Sequence, residues 1–228
     1  MLTGCDAPDA VESPGAPPRV VTGRGVIRGA VRFAGPLPEA KTSRVQCNDG
    51  QVDVPDESAV VNGNGTLRNV FVYLEGAPAS ADGARRDVAM LDQVNCRYVP
   101  HALGVQVGQT LRVRSSDPTL HNVHALSQAN RAFNLSMTRA GDEKAVTFTT
   151  QEFVPVRCDV HPWMLAYVGV FENPWFAVSD DSGAFAIKDV PEGSFKLVAW
   201  HERYGRLEQD VRVGNDRPLD VTFEYRQR

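Results

Sequence analysis

Long hydrophobic runs and long runs of one charge are both absent from this sequence of 228 residues. No stretch approaches the roughly 20 consecutive apolar residues of a membrane-spanning helix, so the sequence predicts none. The net charge of -4 is not concentrated in any block, which argues against a nucleic-acid partner. Histidine and methionine are also scarce: the five His and four Met form no tract of the kind expected in proteins that store or traffic metals.

Helical periodicity is scarce as well, and the dominant pattern is alternation of apolar and polar residues. Val105, Val107, Leu111 and Val113 alternate with polar residues and predict one half-buried strand that ends at Arg114. Clusters of Gly, Asn, Asp and Pro separate such segments and are typical of turns. Further strands are predicted at 27–33, 69–74, 145–149, 153–158, 167–171, 185–187, 194–200, 211–213 and 221–225. The sequence therefore predicts an all-β protein of one or two sandwiches.

Three residues with metal-binding side chains lie in one short segment: Cys158, His161 and Met164. A thiolate and an imidazole three residues apart can bind one ion from the same side, and a thioether three residues further can cap it. Soft sulfur ligands combined with imidazole favour copper over zinc, calcium or magnesium, although zinc is not excluded by affinity. Cys158 shares a strand face with Val154 and Val156, so its sulfur is predicted to point inward.

A fourth ligand has to come from elsewhere in the chain, and the segment His-Asn-Val-His at 121–124 offers it. The segment Leu-His-Asn-Val-His at 120–124, followed by Cys-x2-His-Pro-x-Met at 158–164, resembles the blue copper proteins of the cupredoxin family, most closely the amicyanins and plastocyanins. The resemblance covers about residues 87–173. It implies a Greek-key cupredoxin β-sandwich.

The resemblance also implies the role of each residue. His121, Cys158 and His161 would be the equatorial ligands of one mononuclear type 1 copper ion, and Met164 the weak axial ligand. Asn122 resembles the residue that pins the two ligand loops together and tunes the Cys sulfur.

Such a centre implies an electron carrier and not an enzyme, because four protein ligands leave no open position for a substrate. Its partners would be redox proteins such as a cytochrome c or a periplasmic dehydrogenase or oxidase complex. Pro162 and Trp163 either close the ligand loop or form an apolar patch on which a partner docks. One alternative is a copper-trafficking or storage protein. Another is a copper oxidase or nitrite reductase, which needs a second copper site; we interpret the scattered His101, His124 and His201 as structural.

The remaining cysteines indicate an oxidising compartment. Leu-Thr-Gly-Cys at 2–5 resembles a bacterial lipobox, which predicts a lipid anchor on Cys5, a flexible tether over residues 1–19 and a location in the periplasm or at the cell surface. A chance match of four residues is the alternative. Cys47 and Cys96 are then left as a disulfide or as two free buried thiols, and a disulfide would tie the strands of the first sandwich to the start of the copper-binding domain.

The flanking segments resemble a second family. Residues 26–38 are similar to the opening strand of carboxypeptidase-regulatory, transthyretin-like domains, and residues 179–197 to their closing part. We therefore predict that residues 20–80 and 174–228 together form a transthyretin-like β-sandwich, with the cupredoxin domain at 81–173 inserted between them. The alternative is three sequential pieces.

Overall fold

The structure is a computed structural model that describes residues 25–78, 85, 87–215 and 217–227. Within these residues it contains 18 strands and no helix, so the predicted all-β fold class is confirmed. The strands are β1 (Gly25–Ala34), β2 (Thr42–Cys47), β3 (Gly50–Pro55), β4 (Phe71–Glu75), β5 (Ala89–Gln93), β6 (Tyr98–Val99), β7 (Ala102–Gln106), β8 (Leu111–Ser115), β9 (His121–Ala125), β10 (Phe133–Met137), β11 (Glu143–Val146), β12 (Glu152–Arg157), β13 (Leu165–Phe171), β14 (Phe176–Val178), β15 (Ala184–Val190), β16 (Gly193–His201), β17 (Gly205–Val213) and β18 (Leu219–Arg226).

The predictions for the N-terminus concern residues that the structure does not describe. Both the lipobox with Cys5 and the tether at 1–19 lie outside the described residues. The described part of the chain has no helix with the length and apolar character that a membrane crossing requires.

Strands from both ends of the chain form one unit, which we call the end sandwich. One of its sheets has the strand order β15-β1-β18 and the other has the order β14-β4-β16-β17. β1 runs parallel to β18, so the first and last described strands are neighbours. The core between the two sheets is made of alternating apolar side chains, among them Ile27, Val31, Leu74, Leu197 and Phe223. The chain leaves this unit after β4 and returns to it with β14.

The strands in between form a second unit, which we call the middle sandwich. Its sheets have the orders β10-β9-β12-β13-β7 and β11-β8-β5-β6. The predicted single strand that ends at Arg114 is wrong: the structure has β7 and β8 there, one in each sheet. The chain turns between them at Gly108, whose φ of 79° is readily adopted only without a side chain.

The hairpin β2–β3 is a two-stranded sheet of its own. Cys47 at the end of β2 is bonded to Cys96, with an S–S distance of 2.10 Å. Cys47 and Val52 pack into the core of the middle sandwich. The disulfide therefore fastens a separate hairpin to that unit and does not fasten a strand of the end sandwich.

An aromatic layer joins the two sandwiches. Phe71 on β4 is 1% exposed and its ring lies 5.4 Å from that of Phe153 and 5.9 Å from that of Trp200, centroid to centroid. Gly169 on β13 permits this contact, because a Cβ added there would lie 2.8 Å from the Phe71 ring. The layer fixes the sheet that carries β12 and β13 against the end sandwich.

A fully buried histidine, His201, ends β16. Its ring stacks on Tyr204 at 4.9 Å between centroids, and the Arg203 backbone N–H donates to its Nδ1 at 3.1 Å. Burial, with smaller contributions from the charges of His101 and Arg203, lowers the pKa of His201 to about 3. The folded protein therefore holds this ring neutral.

We expect His201 to make folding sensitive to acid. The unfolded chain binds a proton at this ring below a pH of about 6.5 and the folded chain does not, so stability falls as the pH drops from about 6.5 towards 3. The loss attributable to this ring is about 2 kcal/mol between about pH 7 and about pH 5. Urea unfolding of the wild type and of His201→Phe at both pH values measures this change in the free energy of unfolding. Equal pH dependence in the two proteins would show that the ring is not responsible.

Candidate metal centre

Neighbouring strands bring the predicted ligands together at one end of the five-stranded sheet. His121 is the first residue of β9, and Cys158 directly follows β12. β9 and β12 are paired, with His124 opposite Arg157, so the start of β9 lies beside the end of β12. Met164 comes directly before β13, which also pairs with β12.

Donor atoms of two predicted ligands, His121 and Cys158, each lie within a few ångströms of the same nitrogen of His161. Nδ1 of His121 is 2.9 Å from Nδ1 of His161, and Sγ of Cys158 is 3.8 Å from the same His161 nitrogen. His121, Cys158 and His161 are 0%, 2% and 9% exposed. The structure therefore encloses one sulfur and two imidazole nitrogens in a site almost closed to solvent.

The loop that carries Cys158, His161 and Met164 is folded back on itself by its backbone. The Met164 N–H donates to the His161 carbonyl at 2.9 Å, and the Cys158 N–H donates to the Met164 carbonyl at 3.3 Å. Met164 is 1% exposed and packs in the same core as Cys158. Its side chain is thus buried in the apolar cluster that also contains Cys158.

Asn122 connects the two ligand segments. Its side-chain Oδ1 accepts hydrogen bonds from the Asp159 backbone N–H at 2.7 Å and from the Cys158 thiol at 3.3 Å. Its Nδ2 donates to Asn134 Oδ1 at 2.7 Å and to Asp159 Oδ2 at 2.8 Å. This is the placement expected of a residue that pins the loops and touches the sulfur.

The environment of Cys158 favours the thiolate. Burial alone would raise the pKa of the thiol, but hydrogen bonds from the His121 ring and from backbone N–H groups outweigh it and hold the pKa below the usual value. The backbone donors belong to Asn122, His161 and Val160. Since the thiolate is the form that binds metals, the site is prepared for a cation.

The pKa values of the two imidazoles are shifted in opposite directions. For His121, burial favours the neutral ring, but the bonds with Cys158 and Asp117 outweigh it and raise the pKa. For His161, burial and the neighbouring charge of His121 lower the pKa. One donating and one accepting ring account for the short contact between the two Nδ1 atoms.

Asp117 is part of the site and was not identified from the sequence. Its Oδ2 accepts hydrogen bonds from His121 Nε2 at 2.9 Å and from the Cys96 N–H at 2.8 Å, while Oδ1 accepts from the Asn95 N–H at 2.8 Å. The carboxylate is 4% exposed. By holding Nε2 of His121 as a donor it leaves Nδ1 free to bind a metal. Its only sequence signal is its place four residues before His121.

The other histidines lie elsewhere. His124 bonds Asp159 through Nδ1 at 3.0 Å. His101 bonds the Leu165 carbonyl and Glu202, and His201 is inside the end sandwich. None of the three is placed among the donors at His121, Cys158 and His161.

The predicted docking residues differ in exposure. Pro162 is exposed, whereas Trp163 is half-buried and its indole Nε1–H donates to the Cys96 carbonyl at 3.1 Å. The Trp163 ring lies 5.1 Å from the His161 ring. Trp163 therefore supports the loop from inside as well as bordering the surface.

The donor set fits a single small cation. Bonds of about 2.0–2.1 Å to nitrogen and about 2.3 Å to sulfur let one ion join a nitrogen and a sulfur up to about 4.4 Å apart. The Cys158 Sγ to His161 Nδ1 separation of 3.8 Å is below that limit, and two nitrogens 2.9 Å apart are also close enough to bind one ion. Cys96 also offers a sulfur within 4.8 Å of donor atoms of His121 and His161, but it is bonded to Cys47, which leaves Cys158 as the described free thiol.

No protein-family model matches the sequence, and no curated protein matches it. Solved structures that are similar to parts of it include cupredoxins. A novel purple cupredoxin from Nitrosopumilus maritimus is 24% identical over 36% of this chain and 98% of its own, with a TM-score of 0.33. An oxidised mutant of amicyanin is 23% identical over 50% of this chain and 98% of its own, with a TM-score of 0.34.

A copper-containing nitrite reductase from Thermus scotoductus SA-01 is 19% identical over 43% of this chain, with a TM-score of 0.36. The chain spans only 25% of the length of that reductase.

Proposed function

We propose that this protein carries single electrons on one type 1 copper ion bound by His121, Cys158, His161 and Met164. The observation that carries the proposal is that His161 Nδ1 lies 2.9 Å from His121 Nδ1 and 3.8 Å from Cys158 Sγ in a nearly solvent-free site. One cysteine and two histidines with a weak axial methionine are the ligand pattern of blue copper sites. When bound, copper supplies a centre that gains and loses one electron.

The protein's own residues prepare the site for that role. Asn122 and Asp117 hold Cys158 and His121 through hydrogen bonds, so these residues would keep one arrangement when a metal is bound. Burial excludes water from the ion and disfavours binding of a substrate. These features support a carrier in preference to an enzyme. Within the described residues His101, His124 and His201 make separate contacts, so they do not supply the second copper site that an oxidase or nitrite reductase needs.

Loading the protein with Cu(II) tests the proposal. We expect an intense blue absorption and a reversible one-electron wave in voltammetry. His124→Gln is the matched control, because it removes a nearby imidazole outside the donor set and should leave both signals in place. A colourless, redox-silent copper complex would favour the alternative of a copper-trafficking or storage protein. Turnover of oxygen or nitrite without a partner would favour an enzyme.

The cellular context forms part of the same proposal. Cys5 would carry a lipid anchor, with residues 1–19 as a tether, and place the protein in the periplasm or at the cell surface. The Cys47–Cys96 disulfide supports an oxidising compartment. A cytochrome c or a periplasmic dehydrogenase or oxidase complex would be the redox partner. The end sandwich would be the transthyretin-like unit that presents the copper centre.

Asp117→Asn should raise the reduction potential of the copper centre. The asparagine keeps the shape of the side chain but removes a buried negative charge beside His121, and that charge stabilises the more positive oxidised state. The expected rise is about 60 mV, which for one electron is a tenfold change in equilibrium constant. Voltammetry of both proteins at the same pH measures it. A lower potential would show that the carboxylate charge does not act on the centre.

Trp163→Ala should slow electron exchange with a cytochrome c by roughly tenfold while changing the copper absorption little, because the ring borders His161 at the surface. Stopped-flow mixing measures the rate. Val88→Ala is the control, because Val88 is 47% exposed and precedes the start of β5. The opposite end of that strand, Gln93, is the end that contacts Asn122 beside the metal ligands. Unchanged exchange in Trp163→Ala would remove this residue from the docking surface.

A further inference from the structure

The sulfur of Cys96 lies beside the same two imidazoles that the proposed copper centre uses. Ligand atoms of Cys96, His121 and His161 are all within 4.8 Å of one another, and the three residues are buried. Ligand atoms of Cys47, Cys96 and Asp117 form a second group within the same limit. Two sulfurs, two imidazoles and a carboxylate are therefore concentrated in one enclosed region beside Cys158.

The position of Cys96 does not depend on the disulfide. Val94 and Arg97 exchange backbone hydrogen bonds at 2.9 Å and 3.2 Å and close a tight turn around it. The Cys96 N–H donates to Asp117, and its carbonyl accepts the indole N–H of Trp163. Cys96 is 0% exposed and has a left-handed φ of 54°, a conformation that its surroundings have to hold. None of these contacts uses the S–S bond, so we expect the sulfur to stay beside the imidazoles when that bond is broken.

We propose that Cys96, when it is a thiol, binds a metal together with His121 and His161. This second metal-binding mode is blocked while Cys96 is bonded to Cys47 and becomes accessible when the disulfide is open. In the disulfide the sulfur carries no charge and is a poor ligand. In the thiol form it loses its proton to solvent as it binds the metal and becomes a thiolate.

The thiol form exists before the disulfide closes and after it is reduced. Reduction consumes two electrons and two protons, which a dithiol supplies as it becomes a disulfide; Cys47 and Cys96 each gain one hydrogen. The resulting set is one thiolate and two imidazoles, which are ligand types that zinc sites use. The cation is therefore of the d10 class, Zn(II) or Cu(I), which prefers thiolate and imidazole. The nearby Asp117 carboxylate adds attraction for a cation.

This inference shares two imidazoles with the proposed copper centre but does not require that centre to be blue or redox-active. The test is therefore made in proteins that carry Cys158→Ser and cannot form the blue site. Co(II) is the probe, because Co(II) bound to a thiolate absorbs in the near ultraviolet and Zn(II) displaces it. Cys47→Ser in this background frees Cys96 without a reductant. Cys96→Ser in the same background is the matched control that frees Cys47 instead.

We expect the Cys47→Ser protein to show the thiolate–Co(II) absorption and to bind at least about 100-fold more tightly than the Cys96→Ser protein, since even outer partners of metal ligands are worth 10- to 100-fold in affinity. The single Cys158→Ser protein should gain the same absorption when a phosphine reduces its disulfide, and should lack it before. Circular dichroism verifies folding, and the reduced single variant gives the answer if the double variant unfolds. Equal affinity in the two double variants, or no thiolate absorption in a folded reduced protein, would overturn the proposal.

Discussion

Replacing Cys158 by Ser abolishes the blue absorption and the one-electron wave of the copper-loaded protein and leaves the fold intact. The colour of a blue site requires a thiolate bound to copper, and the serine hydroxyl is not ionised at neutral pH. The fold survives because the hydroxyl is close in size to the thiol and can donate to the Asn122 oxygen that now accepts from Cys158. Absorption spectroscopy, voltammetry and circular dichroism measure the three outcomes.

The control for this prediction is a substitution in the same loop at a residue other than the cysteine. Val160→Ala shortens a side chain that is 47% exposed and lies between Cys158 and His161, so it should keep the colour. A Cys158→Ser protein that stays blue would mean that another sulfur binds the copper. The same variant unfolding completely would mean that the cysteine serves the core instead of a metal.

Phe71→Ala should destabilise the protein by about 3 to 5 kcal/mol, the range for removing a buried aromatic ring. Phe71 is 1% exposed and contacts Phe153, Phe171 and Trp200, so its loss leaves a cavity between the two sandwiches. Urea unfolding measures the change. The blue absorption should stay the same, because Phe71 belongs to a different apolar cluster from Cys158.

Leu37→Ala is the control for the aromatic layer, because Leu37 is 52% exposed and its truncation should change stability by no more than about 0.5 kcal/mol. If Phe71→Ala costs no more than this control, the layer does not hold the two sandwiches together. If it also shifts the copper absorption, the metal centre depends on the end sandwich more than its contacts indicate.

The part of the site that the sequence predicts is local. Cys158, His161 and Met164 lie within one loop, so their order and spacing are visible without a structure. His121 is 37 positions before Cys158, and it was found because the segment around it resembles a known ligand pattern. The structure supplies the reason for their meeting, which is the pairing of β9 with β12.

The part that the sequence does not predict depends on hydrogen bonds between distant turns. Asp117 precedes a proline in a polar segment and has the appearance of an ordinary turn residue. Only the folded chain shows its carboxylate accepting from Cys96 and His121. The sequence predicts only that Cys96 can pair with Cys47, and nothing in it indicates that the Cys96 sulfur lies beside two imidazoles.

The fold shows the same division. Alternation located most strands of both sandwiches, because half-buried strands expose every second side chain. It also joined β7 and β8 into one strand, since alternation continues across the turn at Gly108 although the chain changes sheets there. The hairpin β2–β3 gave no signal because most of its side chains are exposed on both faces.

Anomalous scattering from crystals of the copper-loaded protein locates the metal. We expect one copper peak within about 2.0–2.3 Å of Sγ of Cys158 and Nδ1 of both His121 and His161. A single peak at His124 and Asp159, with no copper beside Cys158, would contradict it.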